Sequence, residues 1–172
     1  MRRFVLAGIM VLALAAGTAS AADVKIGYVD MQRALNNSEA GKEAKEQLAA
    51  RLKKYQDEIN GKQDELKKLK DELEKQGMLL SETARAAKEK DYQQRLKEFQ
   101  RFTKDAQDEL QGKDEEFTRK ILEEMEKVIK EYGRSNGYTF IFAKNDSMMV
   151  YVDDKADVTE DVLKLFNTTK KK

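Results

Sequence analysis

The sequence predicts an α+β protein, mainly α, in which a long antiparallel coiled-coil hairpin stands on a small β-rich oligomerisation body. Three observations carry that prediction. Apolar residues over 39–132 recur in alternating steps of four and three, one cluster of turn chemistry divides that stretch at 77–81, and short segments of period-two alternation lie only on its flanks. Charged residues make up 38% of the chain and aromatic residues 8%, and there is no Pro. Such a composition suits thin helical pairs better than a filled globule, and no helix is forced to break.

The first segment reads as a processing signal. Arg2 and Arg3, the apolar run from Phe4 to Ala16 and the small residues Ala19-Ser20-Ala21 form a cleavable export signal over 1–21. The apolar run is short for a membrane span. Loss of Arg2 and Arg3 takes the formal charge from +1 to −1, which argues against nucleic acid as a partner. The remaining chain divides into a body domain over 22–38 and 133–167, the hairpin over 39–132, and a disordered basic tail over 168–172.

Val24, Ile26 and Tyr28 alternate with Lys25 and Gly27 as a short strand. Asp30 caps a short helix carrying Met31, Ala34 and Leu35, and Ser38 caps the first long arm. That arm places Leu48, Leu52, Tyr55, Ile59, Leu66, Leu69 and Leu73 in one seam, with Lys62 the polar intruder. Gly77 is placed to end it, with Met78 folding back onto Leu73, and Ser81 to start the second arm. The second seam runs through Tyr92, Leu96, Phe99, Thr103, Ala106, Leu110, Lys113 and Phe117. After Phe117 the register shifts to Ile121, Met125, Val128 and Tyr132, with Leu122 and Ile129 beside them. The broadened stripe predicts more than one neighbour, where the hairpin enters the body. Gly133 or Gly137 ends the helix. Tyr138 to Ala143 and Met148 to Val152 read as two strands of an antiparallel hairpin around Lys144 to Ser147. A last helix begins with Thr159 as its cap, Val158 and Leu163 forming a hydrophobic staple.

Enzyme chemistry has little to work with. The chain has no His and no Cys, which removes the commonest general base, thiol nucleophiles and disulfides. Asp153, Asp154, Asp157, Glu160 and Asp161 lack the spacing of a calcium loop and suit the start of a helix. The chain is therefore read as no enzyme, with no cofactor and no metal.

Two surfaces invite a functional reading. The body strands are apolar on both faces, and so small a sheet cannot cover them alone. Ile26, Tyr28, Phe140, Ile141, Phe142, Val150 and Tyr151 are the expected subunit contacts. On the arms, Met78, Leu79 and Leu80 either seal the hairpin end or meet a partner. Around them the second arm is basic from Arg85 through Lys88, Arg95 and Arg101 to Lys104, and acidic from Asp105 to Glu126. The pattern reads either as solvated faces paired along the helix or as a field drawing acidic partners or an anionic lipid surface to the tip.

The opening strand Ile26-Gly27-Tyr28-Val29-Asp30, the long charged hairpin and the closing helix Val158-Thr159-Glu160-Asp161-Val162-Leu163 together resemble the Skp/OmpH family of periplasmic chaperones, over essentially the whole mature chain. The resemblance implies a homotrimer with a shared β-rich body and three hairpins around a cavity. It further implies a periplasmic, ATP-independent holdase that keeps unfolded outer-membrane proteins soluble until insertion, with Leu79, Leu80, Arg85, Lys88, Arg95 and Arg101 as candidate client contacts. The other class considered is a structural coiled-coil spacer or adaptor of the cell envelope.

Overall fold

The structure, a computed structural model, describes residues 24–76, 79–145 and 149–169. Residues 1–23, which include the expected export signal, lie outside the described residues, as do Gly77 and Met78, Asp146 to Met148 and the Lys170 to Lys172 tail. In chain order the elements are β1 (Ile26–Val29), α1 (Met31–Asn37), α2 (Glu39–Gln76), α3 (Glu82–Ser135), β2 (Phe140–Ala143), a 3-10 turn (Asp154–Ala156) and α4 (Thr159–Thr169).

Helices α2 and α3 form the antiparallel hairpin, ~57 Å and ~81 Å long at 1.5 Å per residue. Their starts are capped as the sequence suggests. The Ser38 hydroxyl accepts the Gly41 N–H at 2.9 Å and donates to the Leu35 carbonyl. Ser81 accepts the Ala84 N–H at 3.3 Å. Between α1 and α2 the backbone turns so tightly that a Cβ at Gly41 would lie 2.0 Å from the Leu35 carbonyl oxygen, so only glycine fits.

Ion pairs tie the arms together in register. Arg51 meets Glu109 at 2.9 Å, Glu65 meets Arg95 at 3.3 Å and Glu72 meets Lys88 at 2.8 Å. The steps between these pairs are two heptads and then one on both arms, the spacing that keeps one stripe facing its partner. Inside the seam Leu66 and Ala106 are buried, and Tyr55 packs edge-to-face on Phe102 at 6.0 Å. Two seam positions depart from the pattern. Leu52 is 55% exposed, and Lys62 lies at the surface with its Nζ 5.1 Å over the Phe102 ring.

The sheet of the body differs from the sequence prediction. Strands β1 and β2 pair side by side in parallel, with Ile26 opposite Phe140 and Val29 opposite Ala143. A parallel pair needs a long crossover, and here the whole hairpin is that crossover. The predicted antiparallel partner does not form over 149–152, and Met148, its first residue, lies outside the described residues. Met149 to Val152 has no strand pairing, and Val150 and Tyr151 are 103% and 85% exposed. The outer side of β1 is taken instead by the end of the chain, where the Val158 N–H donates to the Tyr28 carbonyl at 2.9 Å. The segment after the turn is thus carried past β2 towards β1.

The inner faces of β1 and β2 supply Val29 and Ile141 to one core. Ala34 of α1, Ile121, Met125 and Val128 of α3, and Val162 and Phe166 of α4 complete it, with Val158 just ahead of α4. The broadened stripe of α3 therefore meets both α4 and the sheet. Gly137, at φ 69°, ends α3. Gly133 is instead buried within the last turn, its missing side chain making room for Ile141, whose Cδ1 would lie 3.2 Å from a Cβ there.

Four polar residues clasp the beginning of the body to its end. The Asp30 carboxylate caps α1 by accepting the Arg33 N–H at 2.9 Å, and the Asp30 N–H donates to the Thr159 hydroxyl at 2.9 Å. The Thr159 hydroxyl donates to Asp157, whose other oxygen accepts from the Arg33 guanidinium. Thr159 is thus the first residue of α4 and not its cap, and the Asp157 carboxylate accepts its N–H at 2.9 Å. Thr159 is fully buried and spends its hydroxyl on the clasp. At the other end of α4 the Asn167 side chain accepts the Glu39 N–H at 3.0 Å, closing the first turn of α2.

Burial pushes the Asp157 carboxyl up, but hydrogen bonds from Thr159 and Arg33 outweigh that and hold it below the usual carboxylate range. A depressed carboxylate stabilises the fold above its unfolded-state pKa of about 3.9, and that contribution is lost as pH falls through the folded value. Asp157→Asn is expected to destabilise the protein by about 1–2 kcal/mol at pH 7, allowing for the part-exposed Arg33. In thermal denaturation followed by circular dichroism the gap to wild type should shrink towards pH 2. A gap of constant size across that range would mean that ionisation of Asp157 contributes nothing.

Candidate functional site

Strand β2 leaves one edge and one face of the sheet open. Side chains alternate between faces along a strand, so Ile141 points into the core while Phe140 and Phe142 point outward. The two rings stack at 6.0 Å and 22° yet remain 53% and 48% exposed. Ile26, opposite Phe140, is 51% exposed beside them. Tyr28 shares that face but is buried, next to its backbone bridge with Asp157. Of the expected subunit contacts, Ile26, Phe140, Phe142, Val150 and Tyr151 are therefore at the surface, Tyr28 is buried, and Ile141 is half-buried against the core.

The edge is as open as the face. The N–H groups of Phe140 and Lys144 donate to the carbonyls of Lys25, just ahead of β1, and of Val29 at its end. By the alternation of a parallel ladder the backbone groups of Ile141 and Ala143 point the other way, and none finds a backbone partner among the described residues. Alongside runs an open groove of about 650 Å³ between the sheet and α3, lined by Val29, Met31, Leu122, Glu126, Ile129 and Ile141 among others. The sequence reading did not single out this groove. Its signal was Leu122 and Ile129, the apolar residues that widened the stripe of α3.

On the arms, Leu79 is 86% exposed at the tip and Leu80 is half-buried. The basic residues nearby are each engaged. Arg85 bonds Glu89 at 2.9 Å, Lys88 crosses to Glu72, Arg95 bridges Asp91 and Glu65, and Arg101 lies 3.5 Å from Asp105. Nearer the body, hydrogen bonds from Lys113 and Lys120 hold the Glu116 carboxyl down at about 2. Exposed pairs of this kind contribute little stability each. Local pairing softens the alternation of sign along α3 without abolishing it. Among the described residues no group of carboxylates could hold a metal ion, and no helix is long and apolar enough to cross a membrane.

Residues 25–166 match the model of a protein family described as outer membrane protein (OmpH-like). No curated protein matches the sequence. Among solved structures, the crystal structure of a candidate outer membrane chaperone (OmpH-like) from Caulobacter crescentus CB15 superposes with a TM-score of 0.78, covering 85% of each chain at 14% identity. At that identity the likeness speaks for the fold.

The seam rests on few buried residues, so truncating one should loosen the arm alone. Leu66→Ala is expected to cost about 2–4 kcal/mol locally. Amide exchange should quicken over 59–73 of α2 and 88–103 of α3 while α4 stays protected. Equal loosening of α4 would mean that arm and body unfold as one unit.

Proposed function

The chain belongs to the OmpH-like outer membrane protein family, and from that premise we propose that it is a periplasmic holdase, keeping unfolded outer-membrane proteins soluble between its helical arms without ATP. The observation that carries this reading is the hairpin. It projects far beyond any core that it helps to build, and its seam residues are mostly half-buried. Between them stand the stems of Lys and Arg, which offer apolar contact with charged ends. Such a surface suits weak, multiple contacts with an unfolded chain, including the exposed Leu79 at the tip. It suits tight recognition of one small molecule poorly.

The same proposal assigns the open side of the body to self-assembly, as a trimer in keeping with the resemblance. Exposed stacked phenylalanines beside an unpaired strand edge are a liability in a monomer and an asset in an oligomer. The segment Met149 to Val152 has the apolar character of a strand and no strand partner among the described residues of its own subunit. A neighbouring copy's β2 edge offers one.

Two measurements test these statements. Light scattering of a β-barrel membrane protein diluted from urea should be suppressed by stoichiometric amounts of the mature chain, with no nucleotide present. Full aggregation in its presence would favour a structural spacer of the envelope. Separately, Phe140→Asp and Phe142→Asp place a carboxylate in the proposed contact, at a cost of several kcal/mol. Both should sediment as monomers in analytical ultracentrifugation while retaining the helical circular dichroism of the wild type. Retention of the wild-type oligomer by both variants would put the interface elsewhere.

A further inference from the structure

We propose that the face of α3 turned away from α2 pairs with the same face of a second copy of the chain, the two helices running antiparallel. Two positions before each seam residue of α3 stands a residue of a second row, and two residues of helix turn through about 200°. That row therefore keeps the four-three spacing of the seam and lies nearly opposite it. From the tip it reads Lys90, Gln94, Lys97, Arg101 and Lys104. Towards the neck it continues with Asp108, Gln111 and Glu115. Every one of these residues is exposed. The tip half of the row contains no acid, and the neck half contains no base.

A row with this order of charge is its own complement when reversed. Let two copies run antiparallel about a twofold axis level with Ala106. Lys104 then meets Asp108 of the second copy, Lys97 meets Glu115 of the second copy, and each pair occurs twice. Arg101 lies opposite Gln111, between the two acids. Sliding one heptad towards the tips would set Arg101 against Lys104. Sliding one heptad the other way would set Lys97 against Leu122. Charge thus selects one register and one direction.

The groups involved are available. Lys90 and Lys97 make no ion pair among the described residues, and the Glu115 carboxylate accepts only the Gln111 side chain, at 2.9 Å. Lys104 and Asp108 are joined at 2.8 Å with their side chains 72% and 62% exposed, so they can exchange partners across the axis. An acidic client or an anionic surface would be drawn to the tip half and repelled by the neck half. A second copy answers both halves.

Arms that share one body run the same way and set like charge beside like, so the contact joins separate assemblies, tip beside neck. That step rests on the proposed self-assembly through the body, whereas the pairing itself does not. Exposed ion pairs each contribute little, and several arms engaging together multiply the effect. At physiological salt, screening over about 8 Å leaves the contact transient and the face open to clients.

The test is sedimentation velocity of the mature full-length chain. At about 0.01 M salt, where charges act over about 30 Å, a species of twice the mass of the basal assembly should appear, and at about 1 M it should vanish. Lys97→Glu and Glu115→Lys each oppose like charges at two places and should each weaken the association roughly tenfold. Lys97→Glu combined with Glu115→Lys restores the complement and should associate as the wild type does. Both positions are exposed, so the helical circular dichroism should be unchanged throughout. The doubling is judged against the species that high salt leaves, so a monomer there would overturn self-assembly through the body and not this contact. Two results would overturn the proposal. One is no doubled species at low salt. The other is a double variant no better than either single one, as a face serving an acidic client or an anionic lipid surface would give.

Discussion

The parallel pairing of β1 with β2 is the constraint on which the rest of the molecule depends. A chain that pairs with itself in parallel must leave one end of the strand and return to the other, and here that detour is the whole hairpin. The entropy of closing so long a loop is offset only if the returning chain finds several contacts at once. It does so through the core beneath the sheet and the Asp30–Arg33–Asp157–Thr159 clasp. Both draw residues from the two extremes of the body, so neither can form until the hairpin has brought them together. The Asn167 contact with Glu39 then joins the last helix to the first turn of the arm.

The arms obey a different economy. Away from the neck they have one neighbour each, so a seam residue is rarely fully buried, and stability accrues in small increments along the register. Surface charges are satisfied by short-range pairs, several of them crossing between the arms. A long element held this way keeps its direction while bending locally at little cost, whereas the body, with Phe166, Met125, Val29 and Val162 fully buried, has no comparable freedom. Rigidity and compliance are thus separated along one continuous α3, at about Ile121.

Much of this was legible in the sequence, because it rests on local chemistry and on helical periodicity. The seams, the caps at Asp30, Ser38 and Ser81, and the entry of α3 into the body at its change of register all follow from residues a few positions apart. The direction of the sheet did not. Met148 to Val152 has the apolar pattern of a strand and follows a turn, so pairing back on β2 was the local expectation. The actual partner of β2 is β1, before the hairpin, and no spacing rule reaches across that distance. The role of Thr159 was hidden for the same reason, since its hydroxyl answers an amide at Asp30. On the candidate surfaces, alternation correctly marked strand residues as apolar on both faces. It could not tell Ile141, which the core takes, from Phe140 and Phe142, which it leaves outside.

The proposed function divides the labour, giving the open edge of the body to other copies of the chain and the arms to clients. Site-specific photo-crosslinking separates the two most directly. A benzophenone side chain placed at Leu79 or Arg101, both well exposed on the arm, should capture an unfolded β-barrel client. One placed at Phe142 should capture a second copy of the chain whether or not client is present. Capture of client at Phe142, with both arm positions silent, would contradict the division and move the client site to the body.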